Sequence, residues 1–238
     1  MTSTQFTEGQ TEIRRDWQLA INADMVLQRQ GANAGKVRER QPRLVALAER
    51  AIVEGQPWIR PEVAYRILKI QEIKQEHVIL TSGAELRGLG VARKLEGAEF
   101  AIAVVATVGA EIERQILRAT KEDATFALAL DGFATAAVGA LIIVFRRYIA
   151  KVADGLQLTI TTPLYPGTND WELAGAQSEL FSLVDAGAIG VKLNTSYLMT
   201  PCKSVSMVIG AGPKMESSRE PCDECGASST CRHRPSNL

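Results

Sequence analysis

The spacing of apolar residues changes along the chain, and the elements it predicts change with it. After a polar start over residues 1–11, Ile13, Trp17, Leu19, Ile21, Met25 and Val26 give a helical reading for residues 13–30. "GANAGK" at 31–36 interrupts it. Its glycines and lysine resemble a phosphate loop, but the spacing and a Ser/Thr after the lysine are absent, so the stretch reads as a linker. Residues 42–55 predict a helix with Pro42 near its start, apolar residues at 44, 45, 47, 48, 51 and 52, and Gly55 at its end. Residues 60–73 predict another, with Pro61 in the first turn.

From residue 76 the texture shifts. "EHVILTSG" (76–83) is short, β-branched and closed by glycine, which predicts a strand. "AELRGLGVARKLEGA" reads as a helix weakened by its glycines. The apolar run at 98–109 predicts a central strand, and 110–120 a helix directly after it. Residues 123–155 predict a long, largely buried helix whose alanines and glycines admit a close neighbour. Strands are expected at 156–163, 189–197 and 203–210, with a helix at 171–187. Helices first, then strands mixed with helices, predict an α+β domain. The expected division is a helical segment over 1–75, a core over 76–212 and a tail over 213–238.

Composition narrows the function. The chain has 238 residues, enough for a sizeable core. Lys+Arg and Asp+Glu number 27 each, so no overall field draws nucleic acid, and no recognition signature for it is present. The first thirty residues carry Glu8, Glu12, Arg14, Arg15 and Asp16, with no apolar signal core. "TAAVGALIIVF" at 135–145 is flanked by Asp131 and by Arg146 and Arg147. It falls short of the ~18 apolar residues of a membrane span and reads as a buried helix. The expectation is a cytoplasmic protein with no membrane partner. In that compartment clustered cysteines favour metal or redox chemistry over disulfides.

Three of the four cysteines fall in the tail, as Cys222-x2-Cys225-x5-Cys231. A Cys-x-x-Cys turn brings two thiolates onto one centre, and Cys231 adds a third. A fourth ligand is expected from Cys202, with His233 as the alternative. Three readings stay open: an iron–sulfur cluster, a structural zinc site, and a dithiol pair.

"VVATVGAEIERQI" with "LALDGFATAAV", then "PLYPGTNDWELAGAQSELFSLV", then "GVKLNTSYLMTPCKSVSMVIG" together resemble the AdoMet-binding reactivation domain of cobalamin-dependent methionine synthase. The likeness is greater to stand-alone versions of that domain, and covers roughly residues 60–212. The third stretch carries most of it, through Leu193, Ser196, Tyr197, Met199, Pro201, Ser204, Val205 and Ser206. The resemblance implies a single curved α+β domain with a twisted, mainly antiparallel sheet and flanking helices. It implies docking on a corrinoid protein or cobalamin-dependent methyltransferase, which carries the cobalamin. There the domain supports reductive reactivation or methyl transfer from S-adenosylmethionine, with an electron donor as a further partner.

The resemblance places Tyr165, Pro166, Gly167, Thr168 and Tyr197 at the cofactor site. Pro166 and Gly167 match the family's Arg-x-x-Pro-Gly-Tyr pattern. Pro163 replaces its arginine and Thr168 its tyrosine. These replacements shift the expected role from methylation toward electron delivery or cofactor handling. An iron–sulfur cluster in the tail would suit that role, and a structural zinc would suit a non-catalytic docking module. Arg146, Arg147 and Lys203 are candidates for the missing cation. "YPGTND" read by itself is a turn.

The other conspicuous residues have plainer readings. His77 precedes a strand as a surface residue. Glu111 and Glu113 suit the helix dipole. Asp131 calls for a cap, a cationic partner or a cleft. Trp171 is a core or rim aromatic. No Ser/His/Asp or Cys/His nucleophile arrangement is legible.

Overall fold

The computed structural model describes residues 9–168 and 170–215. Its centre is one antiparallel sheet. The strands are β1 (Glu12–Arg14), β2 (Glu62–Ile73), β3 (His77–Leu80), β4 (Glu85–Arg87), β5 (Phe100–Thr107), β6 (Thr159–Ile160) and β9 (Ser204–Gly212). Their order is β4-β3-β2-β5-β9-β6, with β1 also on β2. A separate hairpin joins β7 (Lys192–Leu193) to β8 (Met199–Thr200). The helices are α1 (Ala23–Arg29), α2 (Ala34–Arg40), α3 (Pro42–Gly55), α4 (Leu89–Lys94), α5 (Glu111–Glu122), α6 (Ala124–Asp154) and α7 (Leu173–Leu183).

Both sheet faces are buried. Val63, Tyr65 and Ile67 of β2, Ile102 and Val104 of β5, and Met207 and Ile209 of β9 share one core with α1, α3 and α6. Ala64 and Leu68, Ala101 and Ala103, and Val208 face the other way, into a core with α4, α7, Leu80 and Leu86. This two-sided burial explains the first correction. Residues 60–73, read as a helix, are β2. A strand buried on both faces is apolar at adjacent positions and loses its period-two signature. Pro61 leads into the strand rather than opening a helix.

The helix expected over 13–30 is also corrected. Its first part is β1, paired through Glu12 with Tyr65 and Arg14 with Val63. An extended segment follows, in which Trp17, Leu19 and Ile21 pack on the core. Their spacing of two residues is that of extended chain. Only residues 23–29 are helical, started by Asn22, whose side chain accepts from Met25 N at 3.0 Å. Within "GANAGK", read as a linker, Asn33 caps α2 in the same way. The helix expected after residue 84 is divided by Gly88 into β4 and α4. The strands expected at 156–163 and 189–197 shrink to β6 and β7.

The long helix forms as expected. Asp123 caps α6 by accepting from Thr125 N and Phe126 N at 3.1 and 3.0 Å. Leu130, Phe133, Leu141, Phe145 and Ile149 of α6 are buried. Its length and apolar character are therefore those of a core helix, although by composition it could cross a membrane. Gly132 lets α1 approach closely, since a Cβ there would lie 2.9 Å from Gln30 Cγ and 3.1 Å from Val26 O.

Where β1 meets β2, the buried hydroxyl of Tyr65 donates to Glu12 Oε2 at 2.5 Å and lies 3.3 Å from the Tyr148 hydroxyl. Burial, then the carboxylate, push the Tyr65 phenol well above its ordinary value of 10.0. The native phenol therefore stays protonated where the unfolded one ionises. This contribution is complete below pH 10 and is lost as pH rises beyond it. Alkaline unfolding should start near that pH, and Tyr65→Phe should flatten the dependence. At neutral pH the substitution should cost on the order of 1–2 kcal/mol, read by urea titration across pH.

Candidate functional site

After β6 the chain continues beside β9 without leaving the sheet. Thr161 N donates to Gly210 O at 2.9 Å, and Leu164 and Val208 exchange backbone bonds of 2.9 and 3.0 Å. Residues 161–164 are buried. The loop beyond is tied to itself. Thr168 N and Oγ1 both donate to Tyr165 O, at 3.2 and 2.6 Å. Gly167 N donates to Trp171 O at 2.8 Å, and Trp171 N to Thr168 O at 3.1 Å. Glu172 then starts α7, accepting from Ala174 N and Gly175 N at 2.9 and 2.7 Å. Those two amides hold its carboxyl below the usual range.

The β7–β8 hairpin forms the facing wall. Asn194 Oδ1 accepts from Ser196 N and Leu198 N at 2.8 and 3.0 Å. Tyr197 takes a left-handed conformation, φ 60°, and donates its N–H to Asn194 O at 3.0 Å. The turn leaves Tyr197 and Leu198 41% and 55% exposed.

Between these walls lies a groove of about 430 Å³. Tyr165, Pro166, Leu173 and Gln177 line one side, and Tyr197, Leu198 and Met199 the other. Cys202, Val205 and Ser206 complete it. Its lining is mostly apolar and includes no charged residue. Its polar feature is a buried pair: Ser206 Oγ donates to Gln177 Oε1 at 2.9 Å, with the two residues 2% and 4% exposed.

Nearby charges serve the framework. Lys203 Nζ lies 2.7 Å from Asp131 Oδ1 and donates to Thr135 Oγ1 at 3.0 Å. Lys203 N donates to Glu113 Oε1 at 2.7 Å. Asp131, Thr135 and Glu113 thus tie the segment before β9 to α5 and α6. On the other side of the sheet, burial raises the Glu179 carboxyl, although Arg87 N donates to it at 2.9 Å.

The structure brings Tyr165, Pro166, Tyr197 and Cys202 to one groove. Gly167 and Thr168 instead line a neighbouring cavity of about 370 Å³ with Asp170, Trp171 and Glu172. Pro163, at the position of the family's arginine, is buried. Cys222, Cys225, Cys231 and His233 lie outside the described residues. Among the described residues no three His, Cys, Asp or Glu side chains are grouped to hold a metal ion. Trp171 is a core residue, 1% exposed. His77 lies on the surface, 3.4 Å from Glu85. Gln177 was not singled out from the sequence. The available signal was its place on the buried stripe of α7, with Ala176, Leu180 and Leu183.

The sequence matches no family model. It matches no curated protein. Among solved structures, the MetH reactivation domain bound to AdoHcy is similar, with a TM-score of 0.58 and 10% identity. The match covers 93% of this chain and 86% of that one. The chain therefore has the curved α+β fold of that domain, as expected from its sequence.

Proposed function

We propose that this chain docks as a stand-alone domain on a corrinoid protein or cobalamin-dependent methyltransferase in the cytoplasm and supports its reductive reactivation. The observation behind this reading is the groove. It gathers Tyr165, Pro166 and Tyr197 on a fold matched over 93% of the chain by the MetH reactivation domain bound to AdoHcy.

The groove favours electron delivery or cofactor handling over methyl transfer. S-adenosylmethionine carries an amino group, a carboxylate and a sulfonium, and no charged residue lines the groove to meet them. Arg146, Arg147 and Lys203 are not among the lining residues, and Lys203 is engaged by Asp131. The uncharged part of such a ligand has Tyr165, Tyr197, Gln177 and Ser206 to meet it.

An iron–sulfur cluster on Cys222, Cys225 and Cys231 would supply a one-electron carrier, and zinc would supply a staple. Geometry bears on the fourth ligand. Cys202 lies before the start of β9, whereas residue 215 lies beyond its end. The nine residues of β9 cover roughly 30 Å. Cys222 is seven residues past Met215, a reach of at most about 25 Å. That span exceeds the reach and weighs against Cys202, whereas His233 meets no such limit.

The test is anaerobic. The full chain is added to a cobalamin-dependent methyltransferase in its cob(II)alamin form, with titanium(III) citrate as the electron source. Faster appearance of the cob(I)alamin spectrum is expected, and an unchanged rate overturns the proposal. Iron and sulfide analysis of the same protein separates a cluster from zinc. Loss of metal in Cys202→Ser assigns Cys202 as the fourth ligand; retention excludes it, and loss in His233→Ala then assigns His233.

A further inference from the structure

The N-terminal segment does more than pair with β2. Arg66 Nε donates to Gly9 O at 2.8 Å and its Nη1 to Leu183 O at 3.4 Å, so one guanidinium joins the segment to the end of α7. Asp185 N donates to Thr11 Oγ1 at 3.0 Å. Arg15 pairs with Glu62 and donates from Nη2 to Ala188 O at 3.4 Å. Ile13 packs on the core that holds Val184, Ile189 and Val191. Residues 9–15 are thus tied to residues 183–188, the stretch that leads from α7 into β7. The two sides are held unequally. Val184, Ala186, Ile189 and Val191 are buried, whereas no residue from 9 to 16 is. Asp16 leaves β1 with φ 65°, a left-handed conformation that is strained for a residue with a side chain. A segment held by a few exposed bonds opens at far less cost than the whole fold. Gly190, just before β7, has φ 72° and open space where a Cβ would lie, so the chain can turn there.

From these contacts we infer that residues 9–15 are a releasable strap that controls the order of the β7–β8 hairpin. Attached, the strap fixes residues 183–188 and, through them, the hairpin that carries Tyr197, Leu198 and Met199. Released, it takes Thr11 from Asp185 N and Arg15 from Ala188 O, and the hairpin moves about Gly190. The N-terminal segment thereby acts on one wall of the groove, whatever the groove binds.

The test is limited digestion of the full chain with chymotrypsin, followed by mass spectrometry. Cleavage after Tyr197, an exposed residue, reads the order of the hairpin. Cleavage after Leu117, exposed on α5, reads the stability of the rest. Thr11→Val removes the acceptor of Asp185 N and keeps the side chain's shape. Arg15→Ala removes the bonds to Ala188 and Glu62. Either should speed cleavage after Tyr197 roughly threefold to tenfold, and the two together about tenfold to thirtyfold, with cleavage after Leu117 unchanged. Thr11→Ser keeps the hydroxyl and should keep the wild-type rate. The Arg15 side chain is 53% exposed, so Arg15→Ala decides the matter even where Thr11→Val does not fold. A wild-type rate after Tyr197 in Arg15→Ala and in the double variant overturns the inference. So does an equal rise at both sites, which would mean that the segment stabilises the whole fold and not the hairpin.

Discussion

Replacing Phe145 by alanine should cost about 3–5 kcal/mol. The ring is fully buried and touches three others. Its centroid lies 5.3 Å from Tyr65, 6.1 Å from Trp17 and 6.4 Å from Tyr148. These residues come from β2, from the extended N-terminal segment and from α6. Removing the ring therefore opens a cavity where three parts of the chain meet, in a region that cannot collapse without moving the sheet. Trp17 would lose an edge-on neighbour and keep the bond from its Nε1 to Arg14 O at 3.1 Å. Urea unfolding should show a lower midpoint with an unchanged slope. The near-ultraviolet dichroism of the aromatic cluster should fall with it. A loss below about 1 kcal/mol would mean that the cluster relaxes around the gap and does not fix the N-terminal segment.

Gly88→Ala should cost on the order of 4 kcal/mol, shared between backbone strain and a clash. Gly88 has φ 138° and ψ 145°, a conformation open to glycine and closed to alanine. A Cβ there would sit 2.9 Å from Trp171 Cδ1 and 3.2 Å from Asp170 O. The indole cannot retreat cheaply, because Trp171 is packed in the core formed with α4 and α7. Trp171 O also accepts from Gly167 N, so its displacement passes to Tyr165 and Pro166 at the groove. Two readouts follow: a lower melting temperature, and tryptophan emission shifted to the red as Trp171 meets water. Unchanged emission with the same loss of stability would confine the damage to the turn between β4 and α4.

The sequence announced those elements whose local signals agreed with their surroundings. Residues 42–55 have a proline at the start, a glycine at the end and a clear apolar stripe, and α3 has those bounds. The α6 helix was legible because Asp123 caps an uninterrupted run of helix-compatible residues. β2 was not, because both its faces are buried and its apolar residues fall at adjacent positions without a period of two. Trp17, Leu19 and Ile21 have the spacing of extended chain, but Met25 and Val26 of the following helix blurred it. Gly88 was seen only as a weakness in a helix, whereas its dihedral angles divide strand from helix. At the groove, Tyr165, Pro166 and Tyr197 were found through a resemblance, Cys202 was expected as a metal ligand, and Gln177 was hidden in an otherwise apolar helix face. The pairing of Asp131 with Lys203 joins residues distant in sequence, so no local pattern foretold it.

The sheet order also sets a sequence of events. β2, β3, β4 and β5 are near neighbours along the chain, so their pairings close short loops. β9 pairs with β5 through Phe100 and Ala211 at one end and Thr107 and Ser204 at the other, across roughly a hundred residues of intervening chain. As the polypeptide leaves the ribosome, the meander can pair while β9 is still unmade. The groove stands on β9 and on the hairpin just before it. Among the described elements the groove is therefore the last to be completed, and whatever it binds meets a sheet already paired.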